Sequence, residues 1–586
     1  MLRKDILRYT EISMGTLARI NFTTLVACLV SAIAVALTVS VSHAYPFSVG
    51  AARLGPVTPA VYRAAVKAQI SELLSNVSAD AEWASVVDFY TERGFEPAWV
   101  TDQKGRARLT ELQGIFADAF EHGLNAERYS LESSPSTNPV QSLSRRDGQS
   151  AEMRELALRD LKASATLVRY VSDLKGLNQD SRAVRHRGAV EPQSLYANAV
   201  LRAASQAPNL RSHLEGEAPS NRIYTASRAA LERYRQLAEA GGWPLVATGK
   251  RIEPGHSSRR IPEVRKRLFA TGDFVGADLE STLYDLELRE AVVRFQGRHG
   301  LDQDAIIGRQ TVASMRITAE QRVQQIMANL ERARWLPTDL GRRYVMVNVP
   351  EIKLRVIEDG QEVMDMAIIV GRRYRQTPIL SSEFSVLELN PYWYVPESIA
   401  RKDYLPQLIE DPWHKADKGM RLFAKDTRDE LERYEIDFAN LPARRALPYR
   451  MRQDPGPDNA LGRVKFLFDN PFAVYLHDTP SRQLFTETER TFSSGCIRIE
   501  RPLEMAEYLL KDKGDWSREV IDEIVDSGLR RRVYLDESVS VHLIYNTAWM
   551  GDDGSVQFRR DIYGRDQYIV DKLLARRDAE LVSKGT

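Results

Sequence analysis

The chain of 586 residues has few cysteines, few histidines and no excess of charge of either sign. Its formal net charge is +1, so its composition gives no indication of binding to nucleic acid or to an acidic membrane. The nine histidines form no H-E-x-x-H motif and no pair at ligand spacing on one helix, which disfavours a zinc amidase. We therefore predict neither a metal nor another cofactor. The length suggests roughly three or four domains.

One long hydrophobic run is present, from Leu25 to Val41, near the start of the chain. Basic residues between Arg3 and Arg19 precede this run, and a small-residue end at Ala44 follows it. This pattern is typical of a secretory signal that is cleaved after Ala44. The run has about 17 residues, so it could instead be an uncleaved inner-membrane anchor. In both cases we expect an exported, periplasmic protein.

Export affects which roles we expect for the two cysteines. Cys28 lies inside the apolar run, so Cys496 would be the only thiol of the mature chain. Thiols in an oxidising compartment are normally paired, and a leftover cysteine is either an intermolecular link or a reactive group. A buried, inert cysteine is the alternative. The serines and glycine directly before Cys496 favour a reactive group.

Hydrophobic periodicity divides the chain into segments. Alternating apolar residues, such as Val345, Val347 and Val349, indicate strands from about residue 340 onwards. A charged, proline-rich stretch interrupts this alternation, and we interpret it as an inserted lid. The predicted segments are a signal peptide (1–44), a linker (45–80), a mostly helical domain (81–250), a compact three-helix unit (256–318), a strand-rich domain (340–535, with the lid at about 397–450) and a C-terminal segment (536–586) that packs back onto the helical or the strand-rich domain.

The strand-rich domain contains a histidine and a cysteine whose positions indicate catalysis. His477 ends a short apolar run, which predicts a strand with an imidazole at its tip, and Cys496 directly precedes a second alternating run. An imidazole can take the proton of a thiol that is otherwise only a few per cent ionised at neutral pH. Gly495 allows close backbone approach, and the Cys496 N–H could donate to a developing oxyanion. The pattern predicts a cysteine nucleophile with a histidine general acid/base.

Several stretches resemble a known family of cell-wall enzymes. The stretch "HDTP…FSSGCIR" is similar to the motif of the YkuD-like L,D-transpeptidase catalytic domain, in which a histidine precedes S/T-H-G-C; fifteen residues separate His477 from Ser493. The stretches "NPYWYVPESIA" (390–400) and "PGPDNALGRVKFLF" (455–468) resemble large exported members that also carry a scaffold domain. The stretch "AVVRFQGRHGL…IIGRQTV" resembles the three-helix peptidoglycan-binding domain, with Ala305 where a glycine is usual.

This resemblance implies a multidomain α+β protein, with a helical scaffold domain and a three-helix peptidoglycan-binding domain before a strand-rich YkuD-like catalytic domain with an inserted lid. It implies a carbapenem-sensitive L,D-transpeptidase that forms 3→3 cross-links between diaminopimelate residues through a thioester on Cys496. Peptidoglycan is the only partner it implies. An L,D-carboxypeptidase, which transfers to water, is one alternative. A non-catalytic wall-binding protein acting through residues 256–318 is the other.

The residues around Cys496 are further candidates for the site. Ser493, Ser494 and Gly495 could form the oxyanion site or orient the histidine. Ser494 replaces the second histidine of the family motif, so the third member of the site is open: either a backbone carbonyl or Ser493 could hold the imidazole of His477.

Four larger side chains are candidates for substrate binding. Arg498, which stands where asparagine is frequent in the family, and Arg490 could each bind a substrate carboxylate through the planar guanidinium. Surface salt bridges are the alternative for both. Trp393 and Tyr394 could line the groove for the donor stem, or they could belong to the core.

Overall fold

The computed structural model describes residues 59–75, 81–100, 103–131, 148–177, 197–427, 429–441 and 446–575. The predicted signal peptide, with Cys28, and most of the predicted linker lie outside the described residues. The chain divides into two compact units, residues 1–61 and 62–586, and only the start of the first helix is described in the first unit. None of the helices in the described ranges combines the length and the apolar character that a membrane span needs.

The described residues form helices throughout the first half and strands mainly in the second half. The helices are α1 (Pro59–Ser75), α2 (Ala81–Glu92), α3 (Gln103–Ala117), α4 (Gly148–Leu174), α5 (Ala197–Gln206), α6 (Leu210–Glu215), α7 (Arg222–Glu239), α8 (Ile261–Ala270), α9 (Leu286–Arg298), α10 (Arg309–Met315), α11 (Ala319–Arg334), α12 (Glu397–Ile399), α13 (Leu405–Glu410), α14 (Pro502–Leu510), α15 (Arg518–Asp526) and α16 (Asp566–Leu574). The strands are β1 (Arg343–Asn348), β2 (Lys353–Glu358), β3 (Gln361–Gly371), β4 (Leu380–Leu389), β5 (Trp393–Val395), β6 (Met420–Ala424), β7 (Tyr449–Gln453), β8 (Val464–Phe468), β9 (Leu476–His477), β10 (Thr491–Ser493), β11 (Ile497–Ile499), β12 (Arg531–Ile544), β13 (Ala548–Met550) and β14 (Val556–Phe558).

Helices α2 to α7 pack around one apolar core. The middle of α4 contributes a continuous buried stripe that includes Leu161, Val168 and Val171. The same helix carries a fully buried carboxylate, Asp160, which accepts a hydrogen bond from the Trp99 backbone N–H at 2.7 Å. Because a buried carboxylate requires such donors, Asp160 ties α4 to the turn that follows α2.

Helices α8, α9 and α10 enclose a separate small core that includes Val264, Val292 and Phe295. Ala305, in the loop before α10, has φ +60, a left-handed conformation that favours glycine. Tyr284 Oη donates to the Ala305 carbonyl at 2.5 Å. The loop therefore has the backbone shape that a glycine would adopt, although the residue is alanine.

Helix α11 connects the helical half to the strands. It starts at a capping box formed by Thr318 and Gln321, and almost every residue of its second half is buried. The C-terminal hairpin β13–β14 and helix α16 contribute Phe558, Val570 and other apolar residues to the same core as α2 to α7 and α11. The C-terminal segment therefore packs against the helical domain.

Nine strands form one sheet in the order β10-β3-β11-β9-β8-β4-β12-β1-β2, and β2 also pairs with β3. The first part of β3 pairs with β2, whereas Ile368 and Ile369 pair with β11, so the sheet closes on itself. Its interior holds apolar residues of the strands other than β10, including Leu387, Phe466 and Leu476, together with apolar residues of α14.

The chain between β4 and β8 forms a small subdomain on the outside of this sheet. Strands β5, β7 and β6 form a three-stranded antiparallel sheet, and α12 and α13 flank a π-helical turn at Ala400–Tyr404. The subdomain has its own core, which includes Trp393, Leu408 and Met451. Tyr475 of the main sheet packs against this core, so the subdomain lies against the sheet face beside β9.

Candidate active site

Strands β9 and β11 are parallel neighbours, and their register brings the predicted site residues together. Leu476 pairs with Ile497 and His477 with Arg498, and Ile497 N–H donates to the Tyr475 carbonyl at 3.1 Å. Leu476 and Ile497 point into the core, so the side chains that alternate with them lie on the opposite face. His477 and Arg498 therefore share the outer face, next to the turn that carries Cys496.

A tight turn holds Cys496 at the start of β11. Ser493 Oγ accepts a hydrogen bond from Gly495 N–H at 3.0 Å and donates to the Cys496 carbonyl at 2.6 Å. Gly495 has φ +121, which L side chains rarely adopt. The buried Ser493 hydroxyl thus closes the turn, and it makes no hydrogen bond to His477.

The imidazole of His477 is held by a backbone carbonyl. Its Nδ1 lies 2.5 Å from the Asp478 oxygen, and His477 is only 4% exposed. A carbonyl can only accept, so Nδ1 carries the hydrogen and Nε2 carries the lone pair of the neutral ring. Burial, followed by the positive charge of Arg498 and, more weakly, that of Lys465, lowers the pKa of His477 to about 3, although backbone hydrogen bonds to Asp478 and Leu461 act in the opposite direction. The ring is therefore neutral and can accept a proton at Nε2.

Asp478 is a positioning residue that the sequence did not reveal. Its buried carboxylate accepts hydrogen bonds from Thr479 N–H at 2.7 Å, Arg482 Nη2 at 2.6 Å and Arg463 N–H at 2.9 Å. Gly462, at φ +59, packs against it so closely that a Cβ on the glycine would lie 2.5 Å from the Asp478 Cβ. The carbonyl that orients His477 is therefore rigidly held.

Tyr475 is a second residue that the sequence did not single out. It lies beside Cys496, because Ile497 N–H donates to its carbonyl, and burial followed by the negative charge of the Cys496 thiolate raises the pKa of the Tyr475 phenol. Burial also raises the pKa of the Cys496 thiol, whereas Tyr475 and the cations Arg498 and Lys465 act in the opposite direction. Among the described residues no hydrogen bond joins Cys496 to His477. Catalytic hydrogen bonds are often long before substrate binds.

Two cations flank His477 on the neighbouring strands. Lys465 of β8 pairs with His477 on one side, and Arg498 of β11 pairs with it on the other. Lys465 Nζ lies 3.6 Å from Glu388 Oε2 and 5.1 Å from the centroid of the Tyr475 ring. Arg498 Nε is buried and has no hydrogen-bond partner within the described part of the chain. Arg498 is therefore the cation that is suited to receive an anionic group.

The other candidate residues have different environments. Arg490 donates to the carbonyls of Ile368, Glu487 and Ile352 at 3.1, 2.6 and 3.3 Å, so all three of its guanidinium nitrogens have backbone partners. Trp393 is 8% exposed and packs within the subdomain core, whereas Tyr394 is 60% exposed. No group of three His, Cys, Asp or Glu side chains in the described ranges is arranged to hold a metal ion.

An ion pair links the subdomain to the turn that carries Cys496. Arg375 Nη2 donates to Asp403 Oδ1 at 2.9 Å, and Asp403 lies in the π-helical turn of the subdomain. Arg375 Nη1 donates to Ser494 Oγ at 2.7 Å. Ser494 thus binds the same arginine that pairs with Asp403 of the subdomain.

Comparison with known proteins identifies the class of each domain. Residues 342–525 match the family model of the L,D-transpeptidase catalytic domain, residues 84–231 match the scaffold domain, and residues 258–315 match the model described as "Putative peptidoglycan binding domain". The chain therefore contains an L,D-transpeptidase catalytic domain behind a scaffold domain and a peptidoglycan-binding domain, which confirms the family resemblance and the multidomain α+β fold class.

Individual relatives match part of this chain. The chain is 32% identical over 266 residues to a "Putative L,D-transpeptidase" of Haemophilus influenzae, and it spans about half of that protein (53%) with 44% of its own length. An L,D-transpeptidase structure from Stackebrandtia nassauensis is 14% identical, with a TM-score of 0.19, covering 52% of this chain and 97% of that one. One from Mycobacterium smegmatis is 11% identical, with a TM-score of 0.17, covering 35% and 58%. Scores of this size do not establish a common fold.

Proposed function

We propose that the chain is a peptidoglycan L,D-transpeptidase that forms 3→3 cross-links through a thioester on Cys496. The observation that carries this proposal is the environment of the thiol, within a domain that matches the L,D-transpeptidase catalytic domain. Cys496 follows a glycine turn and lies beside Tyr475, and the paired strand β9 presents a neutral His477. The protein would act on the cell wall as an exported, periplasmic enzyme, with an uncleaved anchor as the alternative.

The first half of the reaction transfers an acyl group to the thiol. The Cys496 proton passes to Nε2 of His477 while Sγ attacks the carbonyl at the L-centre of diaminopimelate in a tetrapeptide stem. The imidazolium then protonates the amine of the terminal D-alanine, which leaves, and a thioester remains. A histidine with a strongly lowered pKa gives up this proton readily.

The second half transfers the acyl group to an amine of another stem. The acceptor amine attacks the thioester, loses a proton to His477 and releases the thiol, which recovers its own proton. The peptide-bond energy is retained in the thioester, so no ATP is required. The subdomain at residues 397–450 would act as a lid that excludes water and favours the amine. The ion pair of Arg375 and Asp403 supports this role.

Arg498 is the residue we assign to the binding of a stem carboxylate. Its guanidinium lies on the same face as His477 and has a buried Nε without a partner among the described residues. Burial lowers the pKa of Arg498, whereas the negative charge of the Cys496 thiolate acts in the opposite direction. A substrate carboxylate would supply the missing acceptor.

Incubation with purified tetrapeptide muropeptides, followed by mass spectrometry, tests this function. We expect release of D-alanine together with dimers joined by diaminopimelate–diaminopimelate bonds. Tripeptides without dimers would instead indicate the L,D-carboxypeptidase. Binding to sacculi without either product would indicate the non-catalytic wall-binding protein.

A further inference from the structure

The peptide bond before Cys496 is held by a residue of the loop between β3 and β4. Thr377 Oγ1 donates to the Gly495 carbonyl at 3.0 Å and accepts from Gly371 N–H at 2.9 Å. Thr377 is fully buried and lies just before β4. Its hydroxyl therefore joins the loop after β3 to the turn that carries the thiol.

This contact fixes the direction of one backbone donor. The C=O and N–H of a trans peptide point in opposite directions. Because the Gly495 carbonyl points to Thr377, the Cys496 N–H points away from Thr377. Within the described part of the chain this N–H has no hydrogen-bond acceptor, so it is free to bind an oxyanion that forms on the carbonyl under attack.

Thr377 is itself held by the C-terminal segment. Tyr563 Oη accepts from Thr377 N–H at 3.2 Å and donates to the Gly371 carbonyl at 2.6 Å. Arg565 donates to the Thr377 carbonyl at 3.2 Å. Tyr563 and Arg565 both lie outside residues 342–525, which match the catalytic domain.

The position of Tyr563 is fixed by a chain of buried and partly buried contacts. Tyr563 N–H donates to Tyr545 Oη at 2.8 Å, and Tyr545 Oη donates to Asp561 Oδ1 at 2.5 Å. Asp561 Oδ2 accepts from Asp566 N–H at 2.8 Å, and Asp566 Oδ1 lies 2.6 Å from Arg332 Nη1 of α11. The hydroxyl of Tyr563 is therefore anchored to the helix that connects the domains.

We propose that Thr377 and Tyr563 form a brace: they are positioning residues that aim the Cys496 N–H at the oxyanion, so that the catalytic domain depends on the C-terminal segment for acyl transfer. This inference rests on the proposed function, because an oxyanion forms only if the thiol attacks a carbonyl. It predicts that loss of the brace slows acylation of Cys496 without changing the intrinsic reactivity of the thiol.

Two reagents separate these effects in the full-length protein. Meropenem acylates a thiol through a tetrahedral oxyanion, whereas iodoacetamide alkylates it by displacement of iodide without one. The variants are Thr377→Val, which keeps the shape but not the hydroxyl, and Tyr563→Phe. Thr377→Ser retains the hydroxyl and should rescue the rate. Tyr284→Phe removes another buried tyrosine–carbonyl hydrogen bond, far along the chain in the peptidoglycan-binding domain, and serves as the control.

We expect meropenem acylation to fall about tenfold to a hundredfold in Thr377→Val and about tenfold in Tyr563→Phe, with alkylation by iodoacetamide within about twofold of wild type. Thr377→Ser and Tyr284→Phe should acylate at nearly the wild-type rate. Unchanged acylation in both brace variants, or an equal fall with both reagents, would overturn the brace. A wild-type protein that iodoacetamide alkylates but meropenem leaves unmodified would overturn the proposed function, and the oxyanion role with it.

Discussion

His477 Nδ1 and the carbonyl oxygen of the next residue, Asp478, are 2.5 Å apart. The orienting group of the candidate base is thus a backbone oxygen rather than a carboxylate. A neutral acceptor stabilises an imidazolium less than a carboxylate would, and Lys465 and Arg498 destabilise it further. The neutral form of His477 therefore predominates.

The pH dependence of acylation follows from this arrangement. A histidine with a pKa near 6.5 would be mostly protonated at pH 5.5 and unable to accept a proton. With its pKa lowered to about 3, His477 keeps its lone pair as the pH falls, so the base is lost only below about pH 4. We expect the second-order rate of meropenem acylation to be nearly constant between about pH 5 and 7. His477→Ala should have a low rate that rises with pH. A wild-type rate that halves near pH 6.5 would contradict the neutral base.

A glycine should be required at position 462, because the Asp478 side chain leaves no room for a Cβ there. Gly462→Ala would combine left-handed strain of about 1 kcal/mol with a Cβ overlap against the Asp478 side chain. Gly360→Ala is the matched control, because Gly360 also has a positive φ, +78, but a Cβ there would meet no atom within 4 Å. We expect Gly360→Ala to keep its activity, and Gly462→Ala to unfold at lower temperature and lose activity at least about tenfold. Equal behaviour of the two variants would argue against a tightly packed Asp478.

Lys465 should assist ionisation of the thiol. Its positive charge lowers the pKa of Cys496, and Glu388 keeps Arg530 as a partner at 2.5 Å when the lysine is replaced. We expect Lys465→Met to raise the pKa of the thiol, so that iodoacetamide alkylation at pH 7 slows about threefold to tenfold. Lys511→Met removes a lysine that pairs with Glu358 instead and should leave alkylation unchanged. A thiol titration unaffected by Lys465→Met would show that this charge is not felt at Cys496.

The ion pair between Arg375 and Asp403 should govern access of water to the thioester. Asp403→Asn keeps the shape of the side chain but removes the charge that holds Arg375, and it should loosen the subdomain. We expect a larger fraction of tripeptide relative to cross-linked dimer in the product analysis. Asp458→Asn breaks an ion pair with Lys418 elsewhere in the subdomain and is the control. An unchanged product ratio in Asp403→Asn would show that this ion pair does not control the access of water.

Local sequence patterns predicted the fold class well. Alternation of Val345, Val347 and their neighbours predicted strands, and a family motif indicated that His477 and Cys496 belong to one site. Hydrophobic periodicity and sequence motifs are properties of short stretches of chain, so they can be recognised in the sequence alone. The domain boundaries and the catalytic roles of the individual residues stay predictions.

Residues that depend on distant pairing could not be predicted. Lys465 lies beside His477 only because β8 pairs with β9, and Thr377 reaches Gly495 across more than a hundred residues of chain. Tyr563 comes from a segment beyond the matched catalytic domain. Asp478 directly follows His477 in the sequence, and Gly462 packs against it in the structure. The sequence could not predict Asp478 from Gly462, because the close packing that requires a glycine at position 462 is visible only in the structure.

The most direct test of the mechanism replaces the proposed nucleophile. Cys496→Ala removes one sulfur from a half-buried position, so the fold should be retained, as circular dichroism and thermal unfolding can verify. Wild-type protein incubated with tetrapeptide muropeptides should show an acyl-enzyme on the peptide containing Cys496 and 3→3 dimers in solution. The variant should show neither product by mass spectrometry. Formation of 3→3 dimers by Cys496→Ala at the wild-type rate would contradict the mechanism.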